Sequence, residues 1–153
     1  MTTTLEVSDL VALAEDLGLS IVERRGHHRG GYHDGIRQIR LNPRLSSREV
    51  RSVLAHEVAH ALYRDIPTPY GPARMKQEAR AWGWAAQHLV APEQFAEVER
   101  IRDGHAASMA YDLRVTIEVV EAYRRALLRT DEAVYVRPRI GTGQYSLKQR
   151  IAS

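Results

Sequence analysis

The chain has 153 residues, of which 44% are hydrophobic and 27% charged, and its formal net charge is +3. This composition is that of a single globular domain and excludes a largely disordered chain. Cysteine is absent, which excludes a disulfide framework, an iron–sulfur cluster and a cysteine-ligated zinc.

Signals for membrane insertion and secretion are also missing from the sequence. No apolar run approaches the ~20 residues that a membrane helix needs. The opening segment, MTTTLEVSDL, has neither the basic nor the apolar region of a secretory signal. We therefore expect a cytoplasmic protein. Arginine outnumbers lysine by 20 to 2, which we attribute to codon bias, the alternative being a selected anion-binding surface.

The first third of the chain predicts one helix and two strands. Ser8 is suited to cap a helix that Gly18 ends. Segments 21–25 and 36–41 alternate or are β-branched, which is typical of strands. The Gly-rich segment between them, 26–35, predicts a loop or a loose hairpin turn.

The middle of the chain predicts two long helices. Ser46 and Glu49 form a capping box, after which apolar residues continue at helical spacing to about Tyr63. A Pro-rich break follows, and a second helix is predicted over 75–90. Because the connection is short, we expect the two helices to pack side by side.

Shorter helices are predicted over 93–102, with Pro92 in the first turn, and over 106–111 and 117–129. A short strand is predicted at 133–136. We expect three regions: a core over 1–104, a helical extension over 105–130, and a basic, loosely held tail over 131–153.

The extension resembles a helix-turn-helix in its spacing. A DNA-reading helix would need basic residues at its start, but Ile117, Glu118 and Val119 stand there. We therefore expect a packing unit, and nucleic acid binding is not predicted.

Residues 56–60 read His-Glu-Val-Ala-His. On a helix, His56 and His60 lie one turn apart on one face, so both imidazoles can reach one ion at the Zn–N distance of about 2.0–2.1 Å. Glu57 lies beside such an ion and can accept a proton from metal-bound water. The alternative is a structural pair of histidines, but two unpaired imidazoles beside an apolar stripe would be costly.

A catalytic zinc takes three protein ligands and keeps the fourth position open. The metzincin continuation is excluded, because Tyr63 and Ile66 stand where it needs glycine and histidine. Glu78, expected in the first turn of the second helix, is the preferred third ligand. Its alternative role is a solvated carboxylate favoured by the helix dipole, and the reserve ligands are Asp65, His88 and Glu93.

The segments LAHEVAHAL, residues 54–62, and EARAWGWAAQHLV, residues 78–90, resemble the ImmA/IrrE family of small zinc metallopeptidases. The resemblance covers about residues 5–130. It implies an α+β, zincin-like fold, in which a small antiparallel sheet packs on the HExxH helix and on a second helix that bears the ligand glutamate. It also implies zinc bound by His56, His60 and Glu78, with Glu57 as catalytic base.

The family resemblance further implies a protein substrate, a helix-turn-helix transcriptional repressor encoded by a phage, mobile element or stress locus. One residue departs from the family pattern. Trp82 stands where the family commonly has Asp or Asn, and an indole cannot accept a hydrogen bond from a ligand imidazole as a carboxylate can. Another group must then orient that histidine, or metal affinity is weakened.

A zinc peptidase usually adds a donor that stabilises the oxyanion of the transition state. The preferred candidates are Tyr32, His33 and Tyr70, and further candidates are His27, His28 and His105. Segment 26–35 could fold over the cleft as a lid, or it could be an exposed polar loop. We expect a substrate strand to pair with an edge strand at 36–41. The alternative function is a non-catalytic regulator that binds a partner, with zinc structural or absent, and a DNA-binding regulator is a weaker alternative.

Overall fold

Six helices and a three-stranded sheet form the part of the chain that the computed structural model describes, which is residues 3–140 for the backbone and 3–129 for the side chains. The elements, in chain order, are α1 (Val7–Asp16), β1 (Ser20–Glu23), β2 (Gly30–His33), a 3-10 turn (Asp34–Ile36), β3 (Gln38–Leu41), α2 (Ser47–Leu62), α3 (Gly71–Leu89), α4 (Pro92–Ile101), α5 (Ala106–Leu113) and α6 (Ile117–Ile140). The fold is α+β, as predicted.

The sheet has the order β1-β3-β2 and is mixed. Strand β1 runs parallel to β3, and β2 runs antiparallel to it. The predicted all-antiparallel sheet is therefore wrong in one pairing. The expected edge strand around residues 36–41 is wrong too, because β3 is the central strand and both of its sides are hydrogen-bonded.

Strand β2 lies inside the Gly-rich segment that was expected to be a loop. Glycine is needed there because β2 passes very close to α2. A Cβ built on Gly30 would lie 2.7 Å from Val53 Cγ1 and 3.0 Å from the Arg40 carbonyl oxygen. Residues 30–33 are thus a strand at the edge of the sheet, where Gly30 allows close packing, while residues 26–29 form a loop, as predicted.

Helix α2 begins at the predicted capping box. Ser46 Oγ accepts a hydrogen bond from Glu49 N, and Glu49 Oε1 accepts one from Ser46 N at 3.0 Å. Every residue from Arg51 to Ala61 is buried, and α2 packs against α1, α3, β2 and β3. Between Arg51 and Ala61 the helix is therefore enclosed on all sides.

Helix α3 begins at Gly71, four residues before the predicted start at 75, because Pro72 fits the first turn, where its missing N–H costs nothing. Helix α4 begins at Pro92, as predicted. Helix α6 packs against α3 and α5. Val119, Val120 and Tyr123 of α6 belong to the same apolar core as Leu54 and Val58 of α2.

The strand predicted at 133–136 is wrong, because helix α6 continues to Ile140. Extending an existing helix costs little compared with starting a strand that has no partner. Residues 141–153 of the expected tail lie outside the described residues, and the division of the chain at residue 104 stays a prediction. None of the helices in the described ranges combines the length and apolarity that crossing a bilayer requires.

Arg51 ties four segments of the chain together from inside the core. Its side chain is 3% exposed. The guanidinium donates to Leu5 O at 3.0 Å, Leu89 O at 3.0 Å and Leu113 O at 3.2 Å, and to Arg114 O at 3.3 Å. These carbonyls belong to the segment before α1, the end of α3 and the end of α5, so Arg51 links these three segments to α2.

We expect Arg51→Met to lower the free energy of unfolding by at least about 3 kcal/mol, because four buried or half-buried carbonyls lose a charged donor at once. Urea unfolding of the full chain in the presence of a chelator measures this loss. The matched control is Arg48→Met, which removes one such bond, to Val115 O at 2.9 Å, and should cost about 1 kcal/mol. Equal losses in the two variants would contradict the tying role of Arg51.

Candidate metal centre

Helix α2 brings together His56, Glu57 and His60, the residues predicted from the HExxH motif. One potential ligand atom of each lies within 4.8 Å of those of the other two. The two imidazole rings meet edge to face, with centroids 4.5 Å apart. All three side chains are buried, so the group is a buried polar cluster and could hold a metal ion.

Glu78 of α3 closes this cluster from the other side. Its Oε1 lies 3.3 Å from His56 Nε2, and its Oε2 lies 2.8 Å from His60 Nε2. Since α3 begins at Gly71, Glu78 lies about two turns into the helix and not in the first turn as expected. The alternative role at a helix N-terminus therefore has no structural basis.

The charges in the cluster stabilise one another. Burial alone would lower the pKa of His56, but the carboxylates of Glu57 and Glu78 outweigh it and raise that pKa to about 9. The pKa of His60 is raised in the same way against burial, by Glu78 and Asp65. The two imidazoles hold the pKa of Glu78 well below its usual range. Glu78 is thus an anion that both histidines contact.

Two buried polar atoms of the cluster have no hydrogen-bond partner in the described part of the chain, His56 Nε2 and Glu57 Oε2. The Glu78 oxygen is at ion-pair distance from His56 Nε2 but outside hydrogen-bond geometry. Buried polar atoms without hydrogen-bond partners are rare in proteins, and they usually indicate a bound ligand, ion or water. Two imidazole nitrogens and a carboxylate are a donor set that suits zinc, so the residues present fit such an ion.

Asp65 orients His60 from outside the cluster. Its Oδ2 lies 2.8 Å from His60 Nδ1, and its Oδ1 accepts a hydrogen bond from Arg80 at 2.6 Å. The Arg80 guanidinium lies over the Tyr63 ring, 4.2 Å from the centroid. Asp65 was expected only as a reserve ligand. The structure places it on the ring nitrogen that faces away from Glu78.

Trp82 lies next to the cluster but does not replace the acceptor that the family pattern supplies. Its indole stacks on the His56 ring, with centroids 4.1 Å apart and planes 22° apart. His56 Nδ1 instead lies 3.1 Å from Glu57 Oε1. Both histidines therefore have a carboxylate at Nδ1, and Trp82 supplies one wall of apolar packing.

The other reserve ligands lie elsewhere. His88 stacks on Trp84, and its Nδ1 lies 2.8 Å from the Trp84 carbonyl oxygen. Glu93 lies in the first turn of α4. Neither residue belongs to the described group that could hold a metal.

Cavities flank the cluster on both sides. One, of about 300 Å³, is lined by Tyr32, Glu57, His60, Ile66 and Arg74 among others. The second, of about 210 Å³, is lined by residues that include His28, Arg29, Trp82 and Glu118. A larger cavity of about 670 Å³ lies at the starts of α1 and α2 and contains none of the cluster residues, so volume alone does not locate the site.

Tyr32 stands in a hydrogen-bonded network at the wall of the first cavity. Its hydroxyl donates to Asp34 and accepts from Arg37. Asp34 also accepts from Arg64 at 2.7 Å, and Arg37 donates to Leu17 O at 3.1 Å. Burial and the Asp34 carboxylate raise the pKa of Tyr32, while Arg64 and Tyr32 lower that of Asp34 to about 2. The network ties the end of β2 to the end of α2.

The remaining predicted stabilisers differ in position from Tyr32. His33 is exposed at the end of β2, and Tyr70 precedes α3 and is 65% exposed. His28 lines the second cavity, His27 lies in the same loop, and His105 caps α5 through Ser108 N. Of the three preferred candidates, only Tyr32 borders a cavity among the described residues that Glu57 also lines.

Comparison with known proteins agrees with this geometry. No curated protein matches the chain. The family model described as the IrrE N-terminal-like domain, Peptidase M78, matches residues 8–123, a range that contains the three strands, α2 to α5, all of α1 except Val7, and every residue of the cluster. This match supports a metallopeptidase of the ImmA/IrrE type, and the chain belongs to the Peptidase M78 family of IrrE N-terminal-like domains.

Proposed function

We propose that the chain is a zinc-dependent metalloendopeptidase. The observation that carries this proposal is the meeting of Glu78 with the Nε2 atoms of His56 and His60, at 3.3 and 2.8 Å. In the proposed site these three side chains hold the metal. Zinc, when bound there, would lower the pKa of a water molecule to ~7 and polarise a carbonyl group.

Glu57 is the proposed general base. Its Oε2 is buried and has no hydrogen-bond partner among the described residues, so it is available to a water or a substrate. In our proposal this oxygen accepts the proton from the attacking water and later delivers it to the leaving amine. The contact of Oε1 with His56 Nδ1 would keep the carboxylate turned toward the cluster.

The substrate peptide is proposed to run along β2. Strand β2 is at the edge of the sheet, whereas the previously expected strand β3 is in its centre. An extended peptide added there would be held by backbone hydrogen bonds, with little demand on side chains. Tyr32 lies on this strand and borders the cavity that contains Glu57, which supports Tyr32 as the oxyanion stabiliser over His33 and Tyr70.

The proposed substrate is a helix-turn-helix transcriptional repressor of a phage, mobile element or stress locus, cleaved in the cytoplasm. Family membership supports a protein substrate. Incubating the purified chain with the repressor encoded next to it, and following cleavage by mass spectrometry, tests this substrate. The alternative, a non-catalytic partner-binding regulator, requires that binding persists without cleavage.

Purified protein should contain about one zinc ion per chain, the stoichiometry of a single catalytic site. His60→Ala should lose most of that zinc, and metal analysis after dialysis measures it. It should also lower the melting temperature of the zinc-loaded protein, since a ligand of the native state adds stability. His88→Ala, on α3 outside the cluster, is the control. Full zinc retention in His60→Ala would refute the site.

Glu57→Gln should retain zinc and fold but lower the cleavage rate by at least about 100-fold, because an amide cannot accept the proton. Rates are measured on the candidate repressor, or on an unfolded protein if no repressor is cleaved. Glu97→Gln, an exposed change of equal charge on α4, should leave the rate unaltered. Wild-type activity in Glu57→Gln would favour the non-catalytic alternative or another base.

Asp65→Ala should weaken zinc binding by about 10–100-fold, because it removes the acceptor that holds His60 Nδ1. Competition with a chromophoric chelator measures the affinity. Asp16→Ala, an exposed change of equal charge, is the control. If affinity is unchanged while the fold is intact, Asp65 is an ion-pair partner of Arg80 only.

A further inference from the structure

A second polar site lies at the loop that connects β1 to β2. It is a small cavity of about 70 Å³. Its lining contains no carboxylate, and its charged or titratable residues are all basic: Arg24, Arg25, His27, His28 and Arg40. A space bounded by three arginines and no acid favours an anion.

Arg40 is the best-defined member of this lining. It is in the central strand, where Ile39 and Leu41 face the core, so Arg40 is on the opposite face of the sheet. Its Nε is buried and has no hydrogen-bond partner. A buried guanidinium N–H without an acceptor is costly, and an anionic oxygen would satisfy it.

The backbone opposite Arg40 is shaped to admit its side chain. Gly31 is its cross-strand partner in β2. A Cβ built on Gly31 would lie 2.8 Å from Arg40 Nη2. The guanidinium therefore lies against bare backbone, in a position that any other residue at 31 would disturb.

Several other arginines of the chain have acidic partners, whereas the three arginines of this lining do not. Arg29 pairs with Glu118 at 2.8 Å, Arg102 with Asp112 and Arg114 with Glu6. Within residues 3–129, the side chains of Arg24, Arg25 and Arg40 make no ion pair or hydrogen bond. Codon bias explains why arginine is common, but it does not explain why three of them surround one cavity without an acid.

The nearest acid in the sequence does not neutralise the cavity. Glu23 is aligned with Leu41 in the register of β1 and β3, and Leu41 faces the core. Successive residues of a strand point to opposite faces, so Glu23 is on the face opposite Arg40. The positive charge of the lining is thus left uncompensated.

We propose that this cavity binds one phosphate group. Arginine presents a planar fork of N–H donors that matches phosphate oxygens. The cavity, about 70 Å³, is larger than the ~30 Å³ share of one water molecule, so it has room for a group of the size of one phosphate. The phosphate belongs either to a free phosphorylated molecule or to a nucleic acid backbone that presents one phosphate here.

Titration of the full chain with inorganic phosphate at low ionic strength, followed by calorimetry, tests the site without any use of peptidase activity. We expect Arg40→Gln to weaken phosphate binding by about 10-fold or more. Gly31→Ala should weaken it comparably, although it changes no charge, because its Cβ displaces the Arg40 guanidinium. Arg44→Gln, an exposed arginine outside the cavity lining, is the charge-matched control and should bind as the wild type does.

Two results would overturn the proposal. One is wild-type phosphate affinity in Arg40→Gln. The other is equal weakening in Arg40→Gln and Arg44→Gln, which would indicate diffuse attraction to a basic surface. If Gly31→Ala melts at a lower temperature, Arg24→Gln replaces it and carries the same expectation. Chelator-treated protein should give the same affinities, which separates this site from the proposed zinc site.

A labelled short DNA duplex distinguishes the two sources of the phosphate. Duplex binding that is lost in Arg40→Gln and falls steeply with salt supports the site with nucleic acid as its ligand. Phosphate binding without duplex binding supports it with a free phosphorylated molecule. Duplex binding that is unaffected by Arg40→Gln, with no binding of inorganic phosphate, contradicts the site.

Discussion

The complete enclosure of α2 between Arg51 and Ala61 is the constraint on which the structure depends. A helix that has no solvent-facing side must find a partner for every polar group it carries. Arg51 and Ser52 meet this requirement with backbone groups of distant segments, including the bond from Thr116 N to Ser52 Oγ at 2.9 Å. His56 and His60, one and two turns further along, meet it with carboxylates at Nδ1. His56 Nε2 and Glu57 Oε2 do not meet it within the described residues, and that is where a metal or a water would bind. The first half of α2 thus organises the fold, and its second half holds the chemistry.

Helix α3 supports His60 from two directions. Glu78 contacts its Nε2 directly, and Arg80, two residues further, holds the Asp65 carboxylate that contacts its Nδ1. The two nitrogens of one imidazole are therefore fixed by one helix and by the loop before it. Any rotation of α3 against α2 would alter both contacts together. The packing of the two helices therefore determines the orientation of the His60 ring.

Local features of this chain were predictable from sequence, and non-local ones were not. The HExxH spacing and the capping box at Ser46 are short-range patterns, and both stand where expected. The sequence does not predict strand β2 because its glycines are typical of a turn. Here Gly30 is needed because Val53, which is distant in the sequence, packs too close for a side chain at position 30. The central position of β3 depends on which strands pair, and no spacing within one segment records that. The role of Asp65 had a signal in its nearness to His60, but only the folded loop shows which ring nitrogen it faces.

The network around Tyr32 contains two residues in an unusual backbone conformation. Arg37 and Arg64 have φ values of 51° and 55°, a left-handed region that favours glycine over any branched side chain. At both positions the side chain binds Asp34 or Tyr32 and so joins the wall of the cleft to the end of α2. The backbone strain is thus offset by a tether that glycine could not make. Replacement by glycine would relieve the backbone strain at these positions, but it would also remove the side chains that hold the end of β2. At these two residues an unstrained backbone and a rigid cleft are therefore incompatible.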